Sequence, residues 1–149
     1  MSRNNIIALL AACAGLSLSY AAVTGTAAMA RTESPAGLDR SLVRLTQNGS
    51  FRVTIASAEQ PVPLHKIHQW SVHLTDQAGR PITGATFKIG GGMPQHGHGL
   101  PTAPIAQQGA SEGAYVIRGL KFSMDGWWEL KLEISAAGVT DRVTFNIVL

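Results

Sequence analysis

The chain has one cysteine, Cys13, in 149 residues. A disulfide, a thiolate ligand and a cysteine zinc site are therefore excluded from everything downstream, and thiol redox chemistry with them. Charge is also scarce. Charged residues make up 14% of the chain, against an average of about 25%. The formal charge of +3 is scattered, with no run of Lys or Arg, so there is no electrostatic footprint for nucleic acid. After residue 50 no amphipathic helical pattern runs beyond a few turns, and there is no internal repeat or low-complexity tract. No serine sits in a nucleophile turn. Gly90-Gly91-Gly92 lacks the following Lys-Ser/Thr and the helix of a phosphate loop, and reads as a flexible strand exit. Glu129 and Glu133 fall on an exposed strand face rather than in a glycosidase pair. Glu112 and Asp125 are the only carboxylates near the one long loop, and nothing marks either as a general base. The expectation is a protein that is not an enzyme.

What is present begins with a targeting pattern. Arg3 supplies a positive start, Ile6 to Val23 is apolar apart from Ser17, Ser19 and Tyr20, and Ala28-Met29-Ala30 precedes Arg31. This is the layout of a secretory signal peptide over residues 1–30. The apolar run is also about the ~18-residue minimum for a span, so an uncleaved membrane anchor is the alternative. Leu10-Ala11-Ala12-Cys13 resembles a lipoprotein box, against which only twelve residues precede the cysteine. Each reading places residues 31–149 outside the cytoplasm, with the periplasm as the expected location. Removing the segment leaves eleven basic and nine acidic residues.

Residues 31–49 are polar and read as a linker in which Leu38, Leu42, Val43 and Leu45 line a short helix or an irregular lead-in. From Ser50 the period becomes two. Phe51, Val53 and Ile55 form one strand face, and Trp70, Val72 and Leu74 a second, with His68 on the same side. Asp76 to Pro81 reads as a hairpin-type turn. Ala85, Phe87 and Ile89 suggest a strand ended by Gly90–Gly92. Alternation returns at Ala114–Arg118, at Trp128, Leu130, Leu132 and Ile134, and at Val143, Phe145, Ile147 and Leu149. Short strands between turn signals imply an all-β fold: an immunoglobulin-like antiparallel β-sandwich of six to seven strands over residues 50–149. Trp70 and Trp128 are its natural core residues.

Gly90 to Gly113 shows no period and reads as a long loop, a length more often functional than idle. It carries Met93-Pro94-Gln95-His96-Gly97-His98-Gly99. Imidazole suits copper, zinc, iron and nickel, and thioether selects Cu(I). His96 and His98, at i and i+2, share a side in an extended segment. The only other methionine past residue 29 is Met124, just before Trp127-Trp128. Neither Met93 nor Met124 falls in an alternating apolar strand, where a filler methionine would be expected. Two loop methionines packing locally is the plain alternative. His68 is either a further ligand or a satisfied core histidine. His65 reads as solvated, and His73 has no assigned role. Trp127, facing away from the core if Trp128 faces in, would cover a soft ion or pack against the loop.

The ordered set His68-Gln69-Trp70-Ser71-Val72, Asp76-x-x-Gly79-x-Pro81-x-x-Gly84-Ala85, Met93-Pro94-x-His96-x-His98-Gly99, Gly113-x-Tyr115 and Phe122-x-Met124-x-Gly126-x-Trp128 resembles the YtkA-like/FixH-like family of extracytoplasmic β-sandwich domains, over about residues 64–149. The resemblance implies copper handling or assembly of copper-containing oxidases, with a membrane or periplasmic copper protein as partner. It also implies that Met93, His96, His98 and Met124 match metal-binding positions. Two functions stay open. One is a copper carrier, buffer or assembly factor, Cu(I) being favoured and zinc also suiting the histidines. The other is a metal-free interaction module that docks a membrane or periplasmic partner through the 90–113 loop.

Overall fold

The period-two alternation is realised as strands. The computed structural model of the protein describes residues 35–149, in which nine strands follow one another: β1 (Val43–Leu45), β2 (Arg52–Ser57), β3 (His68–Thr75), β4 (Thr86–Met93), β5 (His98–Gly99), β6 (Ile105–Gln108), β7 (Ala114–Leu120), β8 (Trp127–Ala136) and β9 (Val139–Val148). The targeting segment and Cys13 lie outside the described residues. No helix of the described residues is long and apolar enough to cross a membrane.

All strand pairings are antiparallel. They build a five-stranded sheet in the order β1-β2-β3-β7-β6 and a four-stranded sheet in the order β5-β4-β8-β9. The first sheet turns Val53, Ile55, Trp70, Val72, Leu74 and Ile117 into the core. The second turns in Trp128, Leu130, Leu132, Ile134, Val143 and Phe145. Each sheet has one apolar face, and the two faces bury each other. The expected β-sandwich is the observed architecture. The strands beyond the expected six or seven are the short pieces β1, β5 and β6, which alternation does not mark.

Four details differ from the sequence expectation. Within the expected linker, Val43–Leu45 form β1, paired from Val43↔Thr54 to Leu45↔Arg52, in place of a short helix. Gly90–Gly92 do not end a strand; β4 continues through them to Met93. The long loop is thereby broken up by β5 and β6. The Asp76–Pro81 turn forms, with Asp76 Oδ1 accepting the Ala78 and Arg80 amides at 2.9 Å each. It does not close a hairpin, because β3 and β4 belong to different sheets. The Tyr115 hydroxyl fastens this crossover to β7: it donates to the Ile82 carbonyl at 2.8 Å and accepts the Ala85 amide at 3.0 Å.

Register places the remaining crossings. Leu120 at the end of β7 pairs with His68 at the start of β3. Gly92 near the end of β4 pairs with Glu129 near the start of β8. The β5–β6 and β7–β8 connections, His68 and Met93 therefore share one end of the sandwich.

Candidate functional site

Pro94 and the glycines shape the segment that carries Met93, His96 and His98. The His96 amide donates to the Met93 carbonyl at 3.1 Å. This closes a four-residue turn with Pro94 at its second position, where the ring's fixed φ is pre-set. Gly97 then takes φ 66°, a left-handed value a bulkier residue resists. The chain returns as β5, pairing Met93 with His98 and Gly92 with Gly99. Opposed residues of an antiparallel pair project from the same face. Met93 and His98 therefore leave the sheet on one side, Met93 at 1% exposure in the core and His98 at the edge in solvent.

Met93 is not a loop methionine. Its position follows from a period that continues through the glycines: Phe87, Ile89, Gly91 and Met93 share one parity, and Phe87 and Ile89 are packed on the core. The glycines are required by neighbours on both sides. A Cβ on Gly91 would lie 2.1 Å from the Glu129 carbonyl oxygen, and one on Gly92 would lie 2.0 Å from that of His98. The expected flexible exit is instead a tight three-strand contact that fixes Met93 against β5 and β8.

The 121–126 connection brings the second methionine to the same end. Gly126, at φ 119°, exchanges backbone hydrogen bonds with Leu149 at 3.0 and 3.1 Å. A Cβ there would stand 3.0 Å from Met93 Cε. Two residues earlier, the Met124 carbonyl accepts the Trp128 indole N–H at 3.0 Å, and the Met124 side chain is 37% exposed. Trp128, not Trp127, is the tryptophan of this region. Trp127 lies on the opposite face of β8, as expected with Trp128 facing in, its indole N–H donating to Asn146 Oδ1 at 3.1 Å.

His96 and His98 stand with ring centroids 6.2 Å apart and tilted by 43°. Two imidazoles on one ion, each with a metal–nitrogen bond of about 2.0 Å, hold their centroids roughly 5–6.5 Å apart. The observed spacing lies at the wide end of that range, where the two nitrogens would stand nearly opposite each other across an ion. His65 and His73 are exposed.

His68 is buried, on the Trp70 face as expected, and its ring sits 5.3 Å from Phe122, which in turn sits 5.1 Å from Trp128. Its Nδ1 is 3.0 Å from the Lys66 carbonyl, while Nε2 is buried without a partner among the described residues. A buried ring nitrogen that stays unpaired costs roughly 1–3 kcal/mol. Among the described residues no three His, Cys, Asp or Glu side chains come together. Exposed apolar side chains border the same end: Leu64, bridged to Phe122, and Ile67, 62% exposed, beside His68.

Alternation and the Met/His spacing indicate most of these residues. Phe122, the aromatic between His68 and Trp128, carried no periodic signal because it sits outside the strands. Comparison with curated proteins and with solved structures finds no match. The family model described as YtkA-like matches residues 45–133, a range from β1 into β8 that holds the whole Met/His turn. The chain belongs to the YtkA-like family.

Proposed function

We propose that the protein binds copper as Cu(I) at this end of the sandwich and serves as an extracytoplasmic carrier, buffer or assembly factor for copper proteins. The observation that carries the reading is the Met93–His98 cross-strand pair, locked by Gly91 and Gly92 and joined by the turn that bears Met124. A bound Cu(I) supplies a soft acceptor for thioether sulfur and imidazole nitrogen. Met93 provides sulfur from the core side, Met124 from the half-exposed turn, and His96 and His98 nitrogen from the solvent side. Thioethers need no deprotonation, so half of this donor set is ready at any pH. The half-exposed turn leaves one side of the site open for handing the ion to a partner.

The test is a Cu(I) competition titration of the full chain against a chromogenic chelator, with zinc in parallel. One tight Cu(I) site is expected. Met93→Leu, which keeps the buried volume and removes the sulfur, should weaken it at least tenfold, or about 1.4 kcal/mol, while the fold persists. Equal affinity in the variant, or zinc held more tightly than Cu(I), would overturn the reading.

A second reading has its own observation. Leu64, Ile67 and Met124 are apolar and exposed around the same end, as a metal-free module docking a membrane or periplasmic partner requires. A partner that stays bound after chelator treatment and after His96→Ala/His98→Ala substitution would favour it.

A further inference from the structure

The outward cations of the two sheets differ in their company. On the four-stranded sheet Lys88 and Arg142 share Glu133, and Lys131 pairs with Glu129 at 2.9 Å. On the five-stranded sheet the outward arginines are Arg52 of β2 and Arg118 of β7. Both are exposed, and neither has an ion-pair partner among the described residues. The register shows why: the outward positions of β1, β2, β3, β7 and β6 hold no Asp or Glu. Small side chains, Thr54, Ala56, Ser71, Ala114 and Val116, surround His73 in the middle of this face and keep it low. Each arginine has an exposed aliphatic side chain opposite it on the edge strand. Leu45 of β1, 48% exposed, pairs with Arg52, and Ile105 of β6, 57% exposed, pairs with Arg118. Arg52 lies opposite Thr75 and Arg118 opposite Gln69 on the intervening β3. Six residues along β3 and two strand spacings across it put the arginine backbones about 22 Å apart. The face is a low bed with an arginine–aliphatic pair at each of two diagonal corners.

We propose that this outer face docks an acidic polypeptide surface of another protein. Arg52 and Arg118 would each take a carboxylate, in the two-pronged geometry a guanidinium favours, and Leu45 and Ile105 would pack beside them. Arginine and apolar side chains together are the composition of a protein interface. A second copy of this chain does not supply the carboxylates. Asp39, Glu59, Asp76, Glu129 and Glu133 are held in ion pairs, and Asp141 is buried. Among the described residues that leaves Glu112 and Asp125, in connections beyond the two ends of β7. Electrostatic docking on an anionic membrane takes clusters of about four to eight basic residues, and this face has two arginines, with no aromatic side chain to insert. The inference does not depend on the copper reading, and the surface is distinct from the apolar border of the Met/His end.

The experiment titrates the ¹⁵N-labelled full chain at low salt with decaglutamate and with tetraglutamate, following backbone amide shifts. Extended at about 3.3 Å per residue, the decamer reaches roughly 33 Å and spans both arginines, while the tetramer, at roughly 13 Å, reaches one. Shifts should centre on β2, β3 and β7. Decaglutamate should bind at least about fivefold more tightly than tetraglutamate at equal glutamate concentration. Arg52→Gln and Arg118→Gln, both at exposed positions, should each remove that advantage with the fold unchanged. Shifts centred on the Lys88, Lys131 and Arg142 face, equal binding of the two peptides, or no binding would overturn the inference. So would tighter binding to phosphatidylglycerol vesicles than to decaglutamate, which would put a membrane on this face. Dimerisation that Arg52→Gln abolishes would overturn it in favour of a second copy.

Discussion

Gly91 and Gly92 decide where Met93 goes. At Gly91 the obstacle is the Glu129 carbonyl of β8, and at Gly92 it is the His98 carbonyl of β5. Both are backbone atoms of paired strands, so neither can swing aside as a flexible side chain would. Gly90, one residue earlier, has open space where its Cβ would be. Gly91→Ala and Gly92→Ala should therefore each destabilise the protein by about 3 kcal/mol or more through overpacking. Gly90→Ala should stay within about 0.5 kcal/mol of wild type or gain slightly, since glycine weakens a strand interior. Chemical denaturation of the three variants checks this, and equal losses at all three positions would contradict the contact. From sequence the three glycines look alike, because what separates them is the approach of strands distant in the chain. Met93 could have been placed by carrying the Phe87, Ile89 parity through Gly91, a signal present but muted by glycine's missing side chain.

At the scale of the element, legibility follows burial. β3, β8 and β9 alternate buried and open positions along nearly their whole length, and their alternation is plain in the sequence because one face of each meets the other sheet. β6 is an edge strand of Ile-Ala-Gln-Gln with mostly exposed side chains, and β5 is two residues long. Neither buries enough to force a period, so the backbone pairing of a neighbour defines them. The β8–β9 hairpin shows how far local chemistry can be pushed. Ala136 pairs with Val139, leaving a two-residue turn in which Ala137 takes φ 50° and Gly138 φ 78°. Positive φ at both positions is the requirement of a type I′ turn, for which Asn-Gly is the preferred pair. Ala137 meets it against the steric preference of an L-residue, at about 1 kcal/mol. Ala137→Asn should recover about 0.5–1 kcal/mol, seen as a melting temperature higher by a few degrees. A lower melting temperature would mean that the alanine methyl makes a packing contribution that the turn geometry does not explain.

For the whole molecule, the two ends of the sandwich are built differently. The Met/His end is joined by glycines, a proline turn and half-exposed apolar side chains. The other end is stapled by Asp141 of β9, which is 2% exposed. Its carboxylate accepts the Asn48 amide at 3.1 and 3.2 Å, the Asn48 side-chain amide at 3.1 Å, the Ser50 amide at 3.2 Å and the Arg142 amide at 2.8 Å. This ties the β1–β2 connection of one sheet to the other sheet. Burial acts to raise the Asp141 pKa and is the largest single influence. Hydrogen bonds from the Thr46 hydroxyl and the Arg142, Asn48 and Ser50 amides together outweigh it and hold the carboxyl well below the usual carboxylate range. The Phe51 carbonyl, 3.3 Å from the Thr46 hydroxyl, competes for the same hydrogen, and the charged acceptor is the stronger of the two. A folded-state pKa depressed below the unfolded value of about 3.9 contributes stability that is full above that pH and is lost as pH falls toward the folded value. Asp141→Asn keeps the size but turns an N–H toward the donors. It should lower the melting temperature at pH 7, and its deficit against wild type should narrow as pH falls from about 5 to about 2. A deficit constant across that range would show that shape, not charge, makes the staple. Because Asp141 and Met93 occupy opposite ends and share no partner, their effects should be independent. Asp141→Asn should leave Cu(I) affinity unchanged while the fold persists, and a loss of affinity there would mean that the site end draws its geometry from the far end of the sandwich.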